Sequence, residues 1–272
     1  FSILDKYPVR LIQIEPGAFN HGLTRNLGAR EAKGKYIVMT VQDAKPASAF
    51  WLEQLLEGFS DDSVAGVCGS QIVPHHPDKN PAEWHRPISK PVLKKVQFQD
   101  ASDFEKLSGE EKLTLCRWDD VNAMYRRDLF LKLPFRETDF AEDMLWARDA
   151  LLAGFAIVYN PVAQVEHYHH YDFNFTFKRN FITRYHIYKY FGALPGRSRP
   201  FLEVLRNGKL FLKEPGMSFV ERWNWFWYNY KNQRAIDKSN NVFLKCLQMG
   251  SEEKLTSLYQ RICGTVPQAR KR

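Results

Sequence analysis

Acidic residues stand at the ends of predicted elements, where they could bind a cation or accept a proton. Asp43 is the second residue after the strand-like run 35–41 (KYIVMTV), in the group Gln42-Asp43-Ala44. Ligands bind at the carboxyl ends of strands in open parallel sheets, and a carboxylate there can bind a hard divalent cation that bridges substrate phosphates. Glu142 and Asp143 open a predicted helix, where one carboxylate could take a proton from an attacking hydroxyl. Structural roles are the alternative: Asp43 could simply form a turn, and Glu142 and Asp143 could complement the positive N-terminal end of the helix dipole.

A cluster of histidines follows the last predicted strand. Residues 166–171 read EHYHHY, and strand alternation places His167 and His169 on one face and His170 on the other. A histidine in this position can act as a metal ligand, and one of them could meet Asp43 if both lie at the same edge of the sheet. Surface or ring-stacking histidines are the other interpretation, and it applies more to His169 and His170 than to His167.

Two further groups of residues could bind parts of a substrate. Arg25 and Asn26 lie at the start of a predicted helix, where a guanidinium and free backbone N–H groups suit a phosphate. Asn122 and Ala123 lie at a predicted strand end, where small and polar groups could face a sugar. Ordinary capping, a surface salt bridge and a strand that runs into a basic helix are the alternatives.

The elements that must position these residues follow an α/β pattern. The first part of the chain predicts strand–helix–strand–helix–strand: a strand at 9–14, a helix at 21–33, a strand at 35–41, a helix capped by Ser48, and a strand from 64 to 73. This order indicates a largely parallel central sheet with flanking helices.

The middle of the chain interrupts this pattern and then resumes it. Residues 73–112 hold five prolines and many charges, and they predict a long surface excursion of the kind that often serves as a binding loop. After it we expect a strand at 117–125, a helix at 142–153 and two short strands on either side of Pro161.

From Phe173 onward the sheet pattern is replaced by amphipathic helices with aromatic residues every three or four positions. We therefore predict two regions, 1–172 and 173–272. Aromatic and basic side chains are interleaved around Trp223–Arg234, which suits either a membrane interface or packing against the first region.

Composition limits the possible classes of protein. The 272 residues are 44% apolar and carry 39 Lys and Arg against 31 Asp and Glu, a formal charge of +8, so anionic partners are favoured. No apolar run approaches the roughly 20 residues that span a bilayer. The four cysteines are widely spread without a CxxC pair, which fits a reducing, cytoplasmic compartment.

In their order and spacing these groups resemble the family-2 glycosyltransferases of the GT-A fold, in particular their bacterial rhamnosyltransferase-like branch. The resemblance covers about residues 9–192 and is carried by FNHGLTRNLGAREAKGKYIVMTVQDAKPASAFWLEQLLEGF, VAGVCGSQIV, DDVNAMYRRDLF and FAEDMLWARDALLAGFAIVYNPVAQVEHYHHY. It implies a GT-A catalytic region in 1–172 with a C-terminal helical extension.

The resemblance also implies a role for each candidate residue. Asp43 matches the last acidic residue of the DxD motif that binds the metal, Mg²⁺ or Mn²⁺, of the nucleotide diphosphate, and His167 matches a histidine that can complete this site. Asp143 matches the catalytic base of the ED motif. Cofactor-binding positions would be Asp43 together with Arg25 and Asn26 beside the nucleotide and Asn122 and Ala123 beside the donor sugar. The chain departs from the family at Val41, where the DxD motif has its first aspartate.

The implied reaction is inverting transfer of a sugar, with dTDP-rhamnose as the candidate donor, to a hydroxyl of a surface polysaccharide or lipid-linked glycan. Peripheral contact with the inner face of the cell membrane would follow from a lipid-linked acceptor. The family's first strand–helix–strand unit, which grips the base and ribose, has no counterpart after Phe1, and we expect an N-terminal truncation.

Other functions remain open from the residues alone. A nucleic-acid-binding module would explain the positive charge and the aromatic–basic pattern, but it leaves Asp43 and Glu142-Asp143 without a role, so we expect no nucleic-acid partner. A metal-dependent hydrolase built on HYHH would need further closely spaced ligands, and HExxH forms are absent. A non-catalytic relative that binds a glycan or a partner protein is the third alternative.

Overall fold

A mixed six-stranded sheet forms the centre of the protein. The computed structural model describes residues 4–196, 202, 205, 216–250 and 252–264. The strands are β1 (Tyr36–Thr40), β2 (Lys45–Pro46), β3 (Val64–Ile72), β4 (Lys94–Val96), β5 (Asn122–Arg126) and β6 (Ala156–Glu166). Their order is β1-β5-β3-β6-β2. On the outer edge of β6, β4 pairs with its first half and β2 pairs with its last two residues.

The sheet confirms the α/β class, but it is mixed and not mostly parallel. Among the six named strands, only β3 and β6 pair in parallel, whereas β5 lies antiparallel between β1 and β3. Strands β1, β3 and β6 therefore share one direction, as the strand–helix–strand pattern predicts. The difference arises because β5, which comes later in the chain, inserts between β1 and β3 in the opposite direction.

Nine helices are described in the parts of the chain listed above. They are α1 (His21–Glu31), α2 (Trp51–Leu56), α3 (Ala101–Glu105), α4 (Gly109–Leu115), α5 (Arg127–Lys132), α6 (Glu142–Leu152), α7 (Phe173–Phe191), α8 (Phe219–Gln248) and α9 (Glu252–Cys263). Polar side chains start several of them: Asn20 and Asp172 cap α1 and α7, and Ser218 forms a capping box with Glu221 at α8.

Several predicted elements differ from the structure. Residues 9–14 form no strand, because no described strand pairs with them and their alternating apolar side chains are exposed. The Ser48 hydroxyl accepts from the Phe50 N–H, and α2 begins only at Trp51. The two short strands around Pro161 are one strand, β6, whose pairing with β3 shifts register between Cys68 and Ser70.

The long excursion is more ordered than we predicted. Residues 73–112 contain β4, α3 and the start of α4, and the remaining irregular part, 73–93, is tied to the end of β3 where Val73 pairs with Trp84.

Apolar side chains form cores on both faces of the sheet and between the C-terminal helices. The larger core contains Trp118, Tyr125, Phe130 and Trp146, which pack edge-to-face or tilted against one another. A separate cluster lies among α7, α8 and α9 around Phe181, Phe243 and Tyr259. The division of the chain at residue 172 stays a prediction, and residues 197–201, 203–204, 206–215, 251 and 265–272 of its second region lie outside the described residues.

Within the described residues, none of the helices combines the length and the apolar character required to cross a bilayer.

Candidate functional site

Three side chains from two segments meet at one edge of the sheet. Asp43 lies in the turn after β1, and His167 and His169 follow the end of β6. His167 Nε2 lies 3.5 Å from Asp43 Oδ1, and His169 Nε2 lies 3.7 Å from Asp43 Oδ2. One ligand atom from each of the three residues lies within 4.8 Å of the other two. We call this set the Asp–His–His cluster.

Backbone pairing brings the cluster together. The chain that leaves Asp43 enters β2, where Lys45 pairs with Glu166, the residue before His167. The His167 N–H also donates to the Ile72 carbonyl at the end of β3. Because β1, β3 and β6 run in the same direction, their carboxyl ends lie at one edge, the usual place for a ligand in such sheets.

A side-chain relay fixes the protonation of His167. Its Nδ1 lies 2.6 Å from Gln71 Oε1, and the Gln71 amide nitrogen donates to Asp119. Since a carboxylate only accepts, the amide orientation is set, and Nδ1 of His167 must carry the proton. In the neutral imidazole the lone pair then lies on Nε2, which faces Asp43 and is buried without a hydrogen-bond partner.

The donor set fits a divalent metal ion. A buried acceptor without a partner is rare in folded proteins, and a neutral imidazole oriented through its other nitrogen is the common form of a histidine ligand. Two imidazoles and a carboxylate suit Mn²⁺ better than Mg²⁺, which prefers oxygen ligands throughout. The residues present are therefore compatible with a metal at this position.

Asp143 lies in the same cavity as the Asp–His–His cluster. The cavity has a volume of about 460 Å³, and its lining includes Asp43, Asp143, His167 and His169. Asp143 is the second residue of α6, and its Oδ1 accepts from the Met144 N–H. The structure thus brings together the three residues Asp43, Asp143 and His167, while their catalytic and metal-binding roles stay predictions.

The turn that presents Asp143 has an unusual backbone. Ala141, the residue before α6, has φ 64°, a left-handed conformation that costs a non-glycine residue about 1 kcal/mol or more. Its side chain is buried, and it forms no capping hydrogen bond. Strain of this kind is concentrated at functional sites, and here it turns the acidic pair into the cavity.

The surroundings of Asp143 make its carboxyl group more basic. Burial raises the pKa of Asp143 well above its usual range, and the negative charges of Glu142 and Asp120 raise it further. A carboxylate with a raised pKa accepts a proton more readily than an exposed aspartate at the same pH.

Arg25 neutralises the carboxylates behind Asp143. Its Nη1 lies 2.5 Å from Glu142 Oε1 and 3.5 Å from Asp120 Oδ2. Burial raises the pKa of Asp120 to about 7, against the lowering effect of Arg25 and of a hydrogen bond from Tyr125. Arg25 lines the cavity, but its guanidinium already has two acidic partners. That it contacts a nucleotide stays a prediction.

Asn26, Asn122 and Ala123 do not line the cavity, and their role in binding the donor stays a prediction. Asn26 is buried and exchanges two hydrogen bonds with the Phe135 backbone. Asn122 is completely buried, and its amide group bonds to Trp51, to Ser70 and to Ala163. Ala123 is likewise inaccessible in the core.

The direction of β5 explains why Asn122 and Ala123 lie away from the cavity. Asn122 pairs with Thr40, the last residue of β1, so β5 begins at the cavity edge and runs away from it. The residues before β5, not those within it, therefore reach the cavity. Asp119, Asp120 and Val121 line it. The two adjacent aspartates before the predicted strand end indicate this position in the sequence, and our predicted site residues did not include them.

Other lining residues were also missed. His169 belongs to the Asp–His–His cluster, as its place on the His167 face allowed. Arg179 of α7 lines the cavity and stacks its guanidinium 4.5 Å from the ring centre of Phe140. Nothing in the helical pattern of 173–191 marks Arg179 among the basic residues of that segment.

Comparison with known proteins finds a matching family and two similar relatives. Residues 2–133 match the family model "Glycosyl transferase family 2". The chain is similar to the O-antigen chain rhamnosyltransferase WbaN of Salmonella anatum (35% identity over 185 residues, 67% of this chain and 56% of the relative). It is also similar to the O-antigen chain rhamnosyltransferase RfbN of Salmonella typhimurium (34% identity over 182 residues, 66% and 56%). It thus spans a little over half the length of these relatives.

A solved structure with some likeness is the mannosyltransferase PcManGT from Pyrobaculum calidifontis in complex with GDP-Man and Mn²⁺. It is 15% identical, with a TM-score of 0.36, and the likeness covers 89% of this chain and 59% of that one. Taken together, the family match and the relatives of about one-third identity show that the chain belongs to the family-2 glycosyltransferases and is rhamnosyltransferase-like.

Proposed function

We propose that this chain catalyses inverting transfer of a sugar from a nucleotide-diphosphate donor to a hydroxyl group of a glycan. One observation carries the proposal: a metal-compatible Asp–His–His cluster and a basic carboxylate, Asp143, line a single cavity. Because the named relatives are O-antigen rhamnosyltransferases, the donor we favour is dTDP-rhamnose and the acceptor a lipid-linked or surface polysaccharide.

Asp43, His167 and His169 would hold the metal, for which we favour Mn²⁺ over Mg²⁺. When bound, a divalent metal supplies positive charge that stabilises the leaving diphosphate. Gln71 keeps His167 in the tautomer that leaves Nε2 free for this purpose.

Asp143 would remove the proton from the acceptor hydroxyl as its oxygen attacks the anomeric carbon. Attack from the face opposite the leaving diphosphate inverts the configuration at that carbon. Arg25 pairs with Glu142 and Asp120, whereas Asp143 forms no ion pair within the described residues. General-base help of this kind contributes about 10²–10⁴-fold in rate.

The first prediction tests this base. The chain is incubated with a panel of nucleotide-sugars including dTDP-rhamnose, with Mn²⁺, Mg²⁺ or EDTA, and release of the nucleoside diphosphate is measured. We expect turnover that requires a metal and a loss of about 10²–10⁴-fold in kcat for Asp143→Asn, with donor affinity unchanged.

Asp172→Asn is the matched control, because asparagine caps a helix as well as aspartate does and Asp172 lies at the start of α7 outside the cavity. This variant should keep normal turnover. Near-normal kcat in Asp143→Asn would show that the base is another group, and consumption of no nucleotide-sugar under any condition would contradict the proposed function.

The same proposal includes contact with a membrane. The first half of α8 presents Phe219, Trp223 and Trp227 to solvent, at intervals of four residues on one face. Exposed aromatic side chains on a basic chain suit the interface of an anionic bilayer, which is where a lipid-linked acceptor would lie. Four free thiols fit a reducing compartment, and we place the reaction at the cytoplasmic side of that membrane.

A further inference from the structure

A second cavity of about 670 Å³ adjoins the first and is not needed for the steps above. Its own walls come from the end of β3 and from residues 82–86 of the excursion. The two cavities share six lining residues, Asp119, Val121, His167, His169, Tyr171 and Arg179. A molecule in the second cavity would therefore touch the residues that surround the reacting centre.

Trp84 in the wall of this cavity has a hydrogen-bond donor without a partner. Only 9% of its surface is exposed, and its indole N–H is buried and unpaired. Leaving a buried donor unsatisfied costs about 1–3 kcal/mol, so an orphaned donor in a cavity wall points to an acceptor that a ligand supplies.

The indole is held in place by its surroundings. His75 stacks on the Trp84 ring at 4.8 Å with an interplanar angle of 24°. The His85 N–H donates to the Val73 carbonyl, which ties this part of the excursion to the end of β3. Trp84 is thus fixed in the cavity wall, with His75 stacked on one face of its ring.

Two tyrosines on the opposite segment are also fixed. The Tyr168 hydroxyl accepts from the Asn80 N–H, and the Tyr171 N–H donates to the Tyr228 hydroxyl of α8. Asn80 and Asn229 exchange two side-chain hydrogen bonds, which joins the excursion to α8. The cavity walls are therefore preformed rather than loose.

We propose that this second cavity binds a pyranose ring of the acceptor glycan, with Trp84 as the residue that recognises it. A pyranose has an apolar C–H face that packs on an aromatic ring and hydroxyl oxygens that accept from an N–H. The wall offers the exposed part of the Trp84 ring, its unpaired indole N–H, and polar side chains such as Gln71 and Asp119. This inference rests on the proposed function, because it assigns the acceptor of that reaction.

The position agrees with the chemistry. The proton acceptor Asp143 lines only the first cavity, whereas Trp84 lines only the second. A ring bound at Trp84 would place the next part of the glycan across the shared wall, beside the Asp–His–His cluster. The nucleoside of the donor is the competing occupant, and the test must separate the two.

Saturation-transfer NMR with four probes, the methyl α-pyranosides of mannose, galactose, glucose and rhamnose, measures binding without any donor. We expect at least one probe to bind the wild-type chain at millimolar concentration. Trp84→Phe, which keeps a ring but loses the N–H, should weaken it about threefold to tenfold, and Trp84→Ala should weaken it by about tenfold or more. Ile88→Ala is the control, since Ile88 lies on the same segment, is exposed and lines neither cavity.

The outcomes separate this inference from the proposed function. Binding of no probe, or equal binding by wild type and Trp84→Ala, overturns the glycan site whatever the turnover assay gives. If Trp84→Ala loses binding of dTDP but keeps binding of the glycoside, the cavity is a nucleoside site. That result also overturns the glycan site. If the chain binds a glycoside through Trp84 but consumes no nucleotide-sugar, the proposed glycan site is supported and the proposed transferase activity is overturned. Melting temperatures of the variants check that each is folded.

Discussion

The protonation of one ring nitrogen decides whether the Asp–His–His cluster can hold a metal. Gln71 accepts from His167 Nδ1 and donates to Asp119, so in the neutral imidazole the lone pair lies on Nε2, which faces Asp43. Partners of this kind, which touch a ligand residue and not the metal, typically change metal affinity about 10–100-fold when they are lost.

We therefore predict that Gln71→Leu lowers Mn²⁺ affinity about 10–100-fold, measured by isothermal titration of the chain without a donor. Gln97→Leu is the control, because Gln97 bonds to the Gly154 carbonyl and lines neither cavity. Equal Mn²⁺ affinity for wild type and Gln71→Leu would show that the relay does not orient the ligand.

The acidity of Asp143 gives a prediction for the dependence of rate on pH. Burial first, and then the charge of Glu142, raise the pKa of Asp143. A base acts only when unprotonated, so kcat/KM must fall as the pH drops through this raised pKa, at a higher pH than for an exposed aspartate.

Glu142→Gln should move that fall in kcat/KM to lower pH. The change removes a negative charge beside Asp143 and frees the positive charge of Arg25, and both effects lower the pKa of Asp143. The pH profiles of kcat/KM for the two proteins measure the shift. A profile that stays in place or moves to higher pH would contradict the assignment of the titrating group.

At the scale of elements, the site depends on how β3, β5 and β6 meet. The pairing of β3 with β6 shifts register between Cys68 and Ser70, and the buried amide of Asn122 fills the gap with bonds to Ser70 and Ala163. Gly69 lies at this shift. A side-chain carbon there would collide with the Ala163 carbonyl and with the Asn122 amide.

Gly69→Ala should therefore destabilise the fold by about 1–3 kcal/mol or more, the usual range for overpacking a filled interior. Urea unfolding measures the change in the free energy of unfolding. Gly28→Ala, in α1 with no atom near the added carbon, is the control and should be neutral or stabilising. If both changes alter the free energy of unfolding equally, the added carbon at Gly69 does not destabilise the fold by collision.

At the scale of the whole molecule, α8 links two surfaces with different tasks. Its Tyr228 and Asn229 support the walls of the second cavity, whereas Phe219, Trp223 and Trp227 face solvent. A membrane bound to the exposed face would therefore lie on the same helix that steadies the proposed acceptor site.

We predict binding to vesicles that contain anionic lipid and weaker binding as salt rises, because charge attraction is screened. The double variant Trp223→Glu/Trp227→Glu should lose this binding in a flotation assay. Phe50→Glu, which places the same charge on a side chain that is 67% exposed elsewhere, should retain it. Equal flotation with neutral lipid, or retention by the double variant, would contradict the membrane contact.

The sequence was sufficient for those site residues that lie next to a strongly patterned element. Asp43 follows a buried strand, Asp143 opens an amphipathic helix, and alternation places His167 and His169 on one face. In each case the pattern of the local segment determines the position of the side chain, and strands that run in the same direction end at the same edge.

Only the tertiary structure decided which other residues reach the cavity. The antiparallel insertion of β5 buries Asn122 and Ala123 and brings Asp119 and Asp120 to the site, and it depends on contacts between segments more than 50 residues apart in the chain. The same holds for Trp84. Its N–H is buried and unpaired only because the fold brings β3, the excursion and the segment after β6 together around the second cavity. Local patterns specify the faces of an element, whereas strand direction and partner are chosen by long-range packing, and these choices determined the walls of both cavities.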